Sequence, residues 1–213
     1  MEANTMDVSC CQGNIDWANF TKHNPQIKAV IVKAGNGNEG FDSKSVINVH
    51  GATDAGLLVG IYNVVYPLPP NCAHPNRDPE VQASEHWEFC SQFGNVLTAI
   101  DLETPSIPDW EQKWGINGEF ITDWVLTYAL KYEQLSGRKP IIYSYTPYIV
   151  AMGSPSSFSD YQFWLADYNK VAKLPSCFTD YIVWQFKGTG GRLLGMSTDV
   201  DLDFCKDLNI FNQ

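Results

Sequence analysis

The chain has 213 residues, 44% of them hydrophobic, which suits one α/β domain with a sizeable core, or two small ones. Its net charge is −10 and no cluster of Lys and Arg offsets it, which argues against nucleic acid as a partner and gives no long-range attraction to an anionic surface. No apolar run reaches the ~18 residues of a membrane span, and the start Met1-Glu-Ala-Asn-Thr is polar, so neither membrane insertion nor a signal peptide is read here.

Apolar runs predict strands over 6–9, 29–33, 59–65, 96–103, 140–145, 163–167, 182–186 and 199–204. Helical patterns over 16–23, 43–55, 80–92 and 119–135 fall between the earlier strands. Asp42 and Ser43 can cap the second helix, and Gly137 can close the last one. Eight strands with helical crossovers in the first part predict a single closed barrel of the α/β class, irregular towards its end, where the connections are short. Five prolines between 66 and 79 make a stiff loop after the third strand, on the face where barrels carry their sites.

The fourth strand ends in Ile100-Asp101-Leu102-Glu103. Side chains alternate along a strand, so Asp101 and Glu103 share a face, on the order of 6.6 Å apart. Two acids that close cannot both ionise freely, so one keeps a proton near neutral pH. A proton donor beside an anion is the equipment for cleaving a glycosidic bond. Asp7 lies early in an apolar strand, where a carboxyl is costly unless it is paired or used. Asp199, Asp201 and Asp203 alternate with apolar residues and are expected to share one face. Tyr62, Tyr143, Trp164, Tyr168 and Trp184 stand near strand ends, and the Gln185 amide can bond a hydroxyl or a carboxylate.

Six cysteines are too few for a disulfide scaffold. Cys72, His74, His86 and Cys90 invite a zinc reading, but the Cys72-x-His74 gap is too tight, and a Cys72–Cys90 disulfide or free thiols fit better. Only four histidines occur, none near the acidic strand ends, so no metal and no cofactor is expected.

The ordered set Asp7-Val8-Ser9-x-x-Gln12-Gly13-x-Ile15-Asp16-Trp17, Val30-Ile31-Val32-Lys33-Ala34, Ala55-Gly56-Leu57-x-Val59-Gly60-x-Tyr62, Asp101-x-Glu103, Ile141-Ile142-Tyr143-Ser144, Trp164-Leu165-Ala166-Asp167-Tyr168, Trp184-Gln185-Phe186 and Val200-Asp201-Leu202 resembles the glycoside hydrolase family 25 lysozymes, the Chalaropsis-type muramidases. The resemblance runs from Asp7 to Phe204. It implies a single-domain, irregular TIM-like (β/α)5(β)3 barrel with its core over about 6–205. It also implies hydrolysis of the β-1,4 bond between N-acetylmuramic acid and N-acetylglucosamine in bacterial peptidoglycan, by a monomer acting outside the cell or at the bacterial wall.

Carried over by position, Glu103 is the general acid and Asp101 its partner. Asp7 and Asp201 complete an acidic ring, and Lys33, Tyr62, Tyr143, Trp164, Asp167 and Trp184 line the groove. Two stretches depart from the family pattern. Residues are inserted between Lys33 and Glu39-Gly40, and Asn63 stands where a histidine often follows the tyrosine. Acids two apart on one strand approach a bond from one side, so Asp101 is a poor nucleophile. That favours a route in which the substrate's own 2-acetamido group attacks, with inversion through a water held by Asp7 or Asp201 as the rival. A carbohydrate-binding barrel with its activity lost is the alternative function.

Overall fold

The computed structural model describes residues 2–37, 40–69, 78–104 and 115–212. Its strands are β1 (Thr5–Val8), β2 (Ala29–Asn36), β3 (Gly40–Phe41), β4 (Leu58–Val64), β5 (Leu97–Asp101), β6 (Ile141–Tyr145), β7 (Phe163–Ala166), β8 (Val183–Lys187) and β9 (Asp201–Cys205). Apart from β3, a short antiparallel flap on β2, they close into a ring in the order β1-β2-β4-β5-β6-β7-β8-β9. Neighbours run parallel from β1 round to β8, whereas β9 runs antiparallel to both β8 and β1. The helices are α1 (Trp17–His23), α2 (Ser45–Asp54), α3 (Pro79–Ser91), α4 (Gly118–Ser136) and α5 (Thr146–Ala151). Five strands are thus each followed by a helix and three are not, as the (β/α)5(β)3 expectation requires.

Sequence chemistry accounts for the helix ends. Asp16 caps α1 by accepting the Asn19 N–H, Asp78 caps α3 ahead of Pro79, and Asn117 caps α4. Gly137 closes α4 at φ 74°, a left-handed backbone that glycine adopts without a Cβ clash. The expected cap of α2 is corrected: the helix starts later, at Ser45, and Asp42 instead folds back on its own turn, accepting the Lys44 N–H at 2.8 Å.

Alternation divides the strands between two cores. Outward residues such as Val30, Val32 and Ile61 pack under α1 and α2, and Ile100, Leu102 and Ile142 pack under α4. Inward residues such as Ile31, Ala99, Ile141 and Val183 fill the barrel. Ile210 and Phe211, from the last turn of the described chain, plug the end opposite the acids. Gly60 is part of that fit, since a Cβ there would lie 3.1 Å from the Phe211 ring.

Cys72 lies outside the described residues, as do His74, most of the proline-rich loop and Glu39. The expected Cys72–Cys90 pair therefore lies outside the described residues; Cys90 is enclosed in the core as a thiol that burial pushes up to about 12. His86 is packed inside and its Nδ1 lies 2.7 Å from the Tyr128 hydroxyl. Burial pushes its imidazole down to about 3, so it stays neutral. Among the described residues no three His, Cys, Asp or Glu side chains are grouped to hold a metal ion.

Candidate active site

The parallel strands all end at one rim, and β9, running the other way, begins there. Register then collects the acids. Asp7 pairs with Asp201 across β1–β9, Gln185 with Asp203 across β8–β9, and Asp101 with Tyr143 across β5–β6. Lys33 pairs with Tyr62, and Tyr143 with Trp164.

The turn after β1 fixes the first of these strands. Ser9 caps the short 3-10 helix Cys10–Gln12, and the Gln12 side chain accepts the Ser9 N–H at 2.8 Å. The Gln12 amide then donates to the Asp199 carbonyl at 3.0 Å, tying β1 to the approach of β9.

Asp101 is 6% exposed, and among the described residues its Oδ1 has no hydrogen-bond partner. Burial first, and then the charge of Glu103, raise its carboxyl well above the ordinary range, against the pull of Lys33. The strand itself stops at Asp101, earlier than expected. The chain stays extended for one more step, with the Leu102 N–H donating to the Tyr143 carbonyl at 3.0 Å. Leu102 points outward into the core beneath α4, so Asp101 and Glu103 do turn the same way. Glu103 is half-buried and is raised by burial, while a hydrogen bond with Tyr143 and the charge of Lys33 oppose the rise.

The second group surrounds Asp7, which is 5% exposed. Its Oδ2 accepts a hydrogen bond from the Gln185 amide at 2.7 Å. Burial, Asp203 and Asp201 together raise Asp7 well above the usual carboxyl range, and the Gln185 bond opposes them. Asp203 is fully buried, accepts the Trp164 Nε1–H at 2.8 Å and is raised by burial to about 7. Among the described residues its Oδ2 has no N–H or O–H donor, and the carboxyl lies within reach of Asp7. A hydrogen bond between those two carboxyls exists only while one of them holds a proton. Asp201 is raised by burial and by Glu103, which links the two groups.

A cleft of ≈ 640 Å³ opens from Glu103 across β6 and β7 and is lined by Tyr143, Tyr145, Thr146, Asp167, Tyr168 and Lys173, among others. Asp167 shapes this wall: one oxygen accepts the Asn169 N–H at 3.1 Å and the other the Lys173 N–H at 2.8 Å.

Three placements correct the sequence expectation. Trp164 was expected to line the groove, but its ring points into the barrel, 1% exposed, edge-on to Tyr62 and Tyr143, where it supports Asp203. Trp184 faces outward, packed with Tyr181 and Phe186, and its Nε1–H donates to the Asp167 carbonyl at 2.7 Å. Asp199 leaves the shared face of β9, because it is held in the loop by Arg192 at 2.8 Å and by the Gly190 N–H at 2.7 Å. Tyr145 and Thr146 of the cleft wall were not singled out from sequence, and aromatic residues at a strand end offered the only signal for them.

The model of glycosyl hydrolases family 25 matches residues 6–193. Lysozyme M1 of Streptomyces globisporus is 25% identical over 199 residues, which is 92% of this chain and 65% of that protein. The autolytic lysozyme of Clostridium acetobutylicum is 27% identical over 198 residues, 93% of this chain and 54% of that protein. The chain therefore spans less than two thirds of the length of these two relatives. Among solved structures, a lysozyme from Streptomyces coelicolor superposes with a TM-score of 0.83 at 21% identity, covering 100% of this chain and 98% of that one. A muramidase from Trichobolus zukalii gives 0.76 at 23% identity, covering 95% and 93%. These two likenesses are of fold. The family rests on the match over most of the chain, from the start of β1 through the approach to β9: the chain belongs to glycosyl hydrolases family 25.

Proposed function

We propose that this barrel hydrolyses the β-1,4 bond between N-acetylmuramic acid and N-acetylglucosamine in bacterial peptidoglycan, acting at the cell wall. The observation that carries this reading is the Asp101 Oδ1, a buried carboxyl oxygen with no donor among the described residues, on the acid whose charged neighbour Glu103 lines the cleft. An enclosed polar atom without a partner is costly, and a bound ligand that brings a donor relieves the cost. The N–H of a 2-acetamido group is such a donor.

In this mechanism Glu103 gives its proton to the glycosidic oxygen as the bond to the anomeric carbon breaks. The acetamido carbonyl oxygen attacks that carbon and forms a cyclic oxazolinium. Asp101 accepts the acetamido N–H, orienting the group and balancing its positive charge. Water then opens the ring, giving its proton to the Glu103 carboxylate, and the configuration is retained. Asp7 and Asp201 add negative potential at the rim, where positive charge develops.

Glu103→Gln keeps the shape of the side chain and removes the proton. Hydrolysis of purified peptidoglycan is expected to fall ~10²–10⁴-fold, the usual worth of a positioned general acid. A variant that keeps more than roughly a tenth of the rate would remove Glu103 from that role. Products with new N-acetylglucosamine reducing ends would overturn the choice of bond, and a wild-type protein that binds peptidoglycan without cleaving it would leave the silent binding barrel. Because Glu103 is raised, its loss of the proton, and with it the alkaline limb of the rate profile, belongs above the ordinary carboxyl value of 4.5.

A further inference from the structure

Gln185 is 3% exposed and is held at both ends of its amide. Its Oε1 accepts the Tyr168 hydroxyl at 2.8 Å and the Tyr143 hydroxyl at 3.0 Å. Its Nε2 donates to Asp7 Oδ2 at 2.7 Å. With the amide oxygen accepting from both hydroxyls, its N–H faces Asp7. Tyr143 also lines the cleft beside Glu103 and lowers its carboxyl, so the single Tyr143 proton has two claimants. When Glu103 is a carboxylate, it competes for the Tyr143 proton. When Glu103 is protonated, it can donate to the Tyr143 oxygen and leave that proton to Gln185.

We infer that Gln185 is a positioning residue that couples the proton on Glu103 to the anion on Asp7, through a one-way chain of donors from Glu103 to Tyr143 to Gln185 to Asp7. Every bond in that chain points the same way only when Glu103 holds a proton, and its last bond is strongest when Asp7 does not. That is the charge state the proposed mechanism starts from, and the inference rests on that reading. Cooperative chains polarise each link, so the amide holds Asp7 ionised more firmly than an isolated donor would. The groups that face Asp7 otherwise work against this. Asp201 and Asp203 come from β9 and Asp101 from β5, all acids that raise it. Tyr62 of β4 and Tyr143 of β6 stay neutral beside it, each pushed well above the ordinary phenol range. Tyr168 is 62% exposed and stands on the cleft wall, so a ligand laid across it touches one end of the chain.

The test follows Asp7 directly, by NMR titration of carboxyl groups in protein labelled with 13C-aspartate, with Asp7→Asn used to assign the signal. Gln185→Met removes the donor at similar length and is expected to move the Asp7 titration up by about one pH unit, the worth of one hydrogen bond to a charged acceptor. Gln185→Glu keeps both tyrosine contacts but replaces the donor with an oxygen, and should move it at least as far. Tyr168→Phe, at a more exposed position, loses one of the two anchors and should give a smaller shift in the same direction, so the inference remains testable if the buried variants fail to fold. Where peptidoglycan is cleaved, kcat should fall with little change in KM. An Asp7 titration unchanged in all three variants overturns the proposal, whether or not the protein hydrolyses peptidoglycan. Loss of activity with the Asp7 titration unmoved assigns Gln185 to packing alone and overturns it equally.

Discussion

Asp101 on β5 and Asp7 on β1 are enclosed to nearly the same degree, 6% and 5% exposed, and burial is the first cause that raises each of them. They differ in what answers the charge. Beside Asp101 the opposing influence is Lys33, and one carboxylate oxygen has no donor. Beside Asp7 the opposing influence is a direct hydrogen bond, supplied by an amide that two tyrosines hold in place. The β5 pair is open in its hydrogen bonding, with one bond unmade, while the Asp7 end of the β1–β9 group is closed by a donor of its own. On the proposed mechanism, two carboxyls with similar burial take opposite tasks: Asp101 completes its bonding on a ligand, and Asp7 is held by the Gln185 amide.

Asp101→Asn is the sharpest way to break that contrast. It puts an N–H where the proposed mechanism needs an acceptor, so Asp101 can no longer orient the acetamido group or balance its charge. The expected loss is about 10²–10³-fold in kcat, as for removing one preorganised group that faces a developing charge. The measurement is turnover of purified peptidoglycan. If Asp101→Asn lost no more than Asp203→Asn, the idea of an open group and a closed one would fail.

Asp203→Asn tests the closed side through stability. Folding raises the Asp203 carboxyl from the ordinary 3.8 to about 7. Between those values the folded chain holds a proton that the unfolded chain has released, so stability falls as pH rises and levels off above the upper value. Asparagine mimics the protonated form: its oxygen can still accept from Trp164, and its amide can donate towards Asp7. Thermal unfolding should show a Tm that declines from mildly acidic to neutral pH in the wild type and less steeply in the variant. Asp7 contributes with the same sign, so the slope is reduced rather than abolished. A variant with the wild-type slope would show that Asp203 does not hold that proton.

The two groups were unequally visible in the sequence. Asp101-x-Glu103 could be read from alternation alone, because the residue between them, Leu102, needed an apolar core on the other side and found one. Asp203 was visible as a member of an alternating run, but not as the acid beneath Asp7, because that depends on the β1–β9 register. The tryptophans show why the rest was hidden. All four residues of β7 are buried, inward ones by the barrel and outward ones by the outer core, so apolar periodicity carries no sign of facing there. Motif position set Trp164 and Trp184 in one groove, whereas the strands send one inward and the other outward. The short helix α5 holds six residues, too few for a helical period to stand out from Tyr145-Thr146-Pro147. The barrel itself was readable because its first four units each supply a whole strand and helix signal, with the later strands showing as apolar runs.

Lys33→Met separates the two groups with the smallest expected effect. The lysine lowers both Asp101 and Glu103, and in each case it is a lesser influence than burial. It is not among the charges that act on Asp7. Methionine keeps an unbranched apolar stem in the half-buried position and removes the charge. Without it, both carboxyls of the β5 group hold their protons to higher pH, so the alkaline limb of the rate profile should move up by roughly half a pH unit, a screened charge interaction at the rim. The Asp101 and Glu103 carboxyl signals should titrate higher by a similar amount, while Asp7 moves much less, because its opposing bond comes from Gln185 and Lys33 acts on it only through the other acids. An Asp7 titration that rose together with the other two would mean that all the acids at the mouth share one electrostatic network. The division between an open pair and a closed one would then describe hydrogen bonding only, and not protonation.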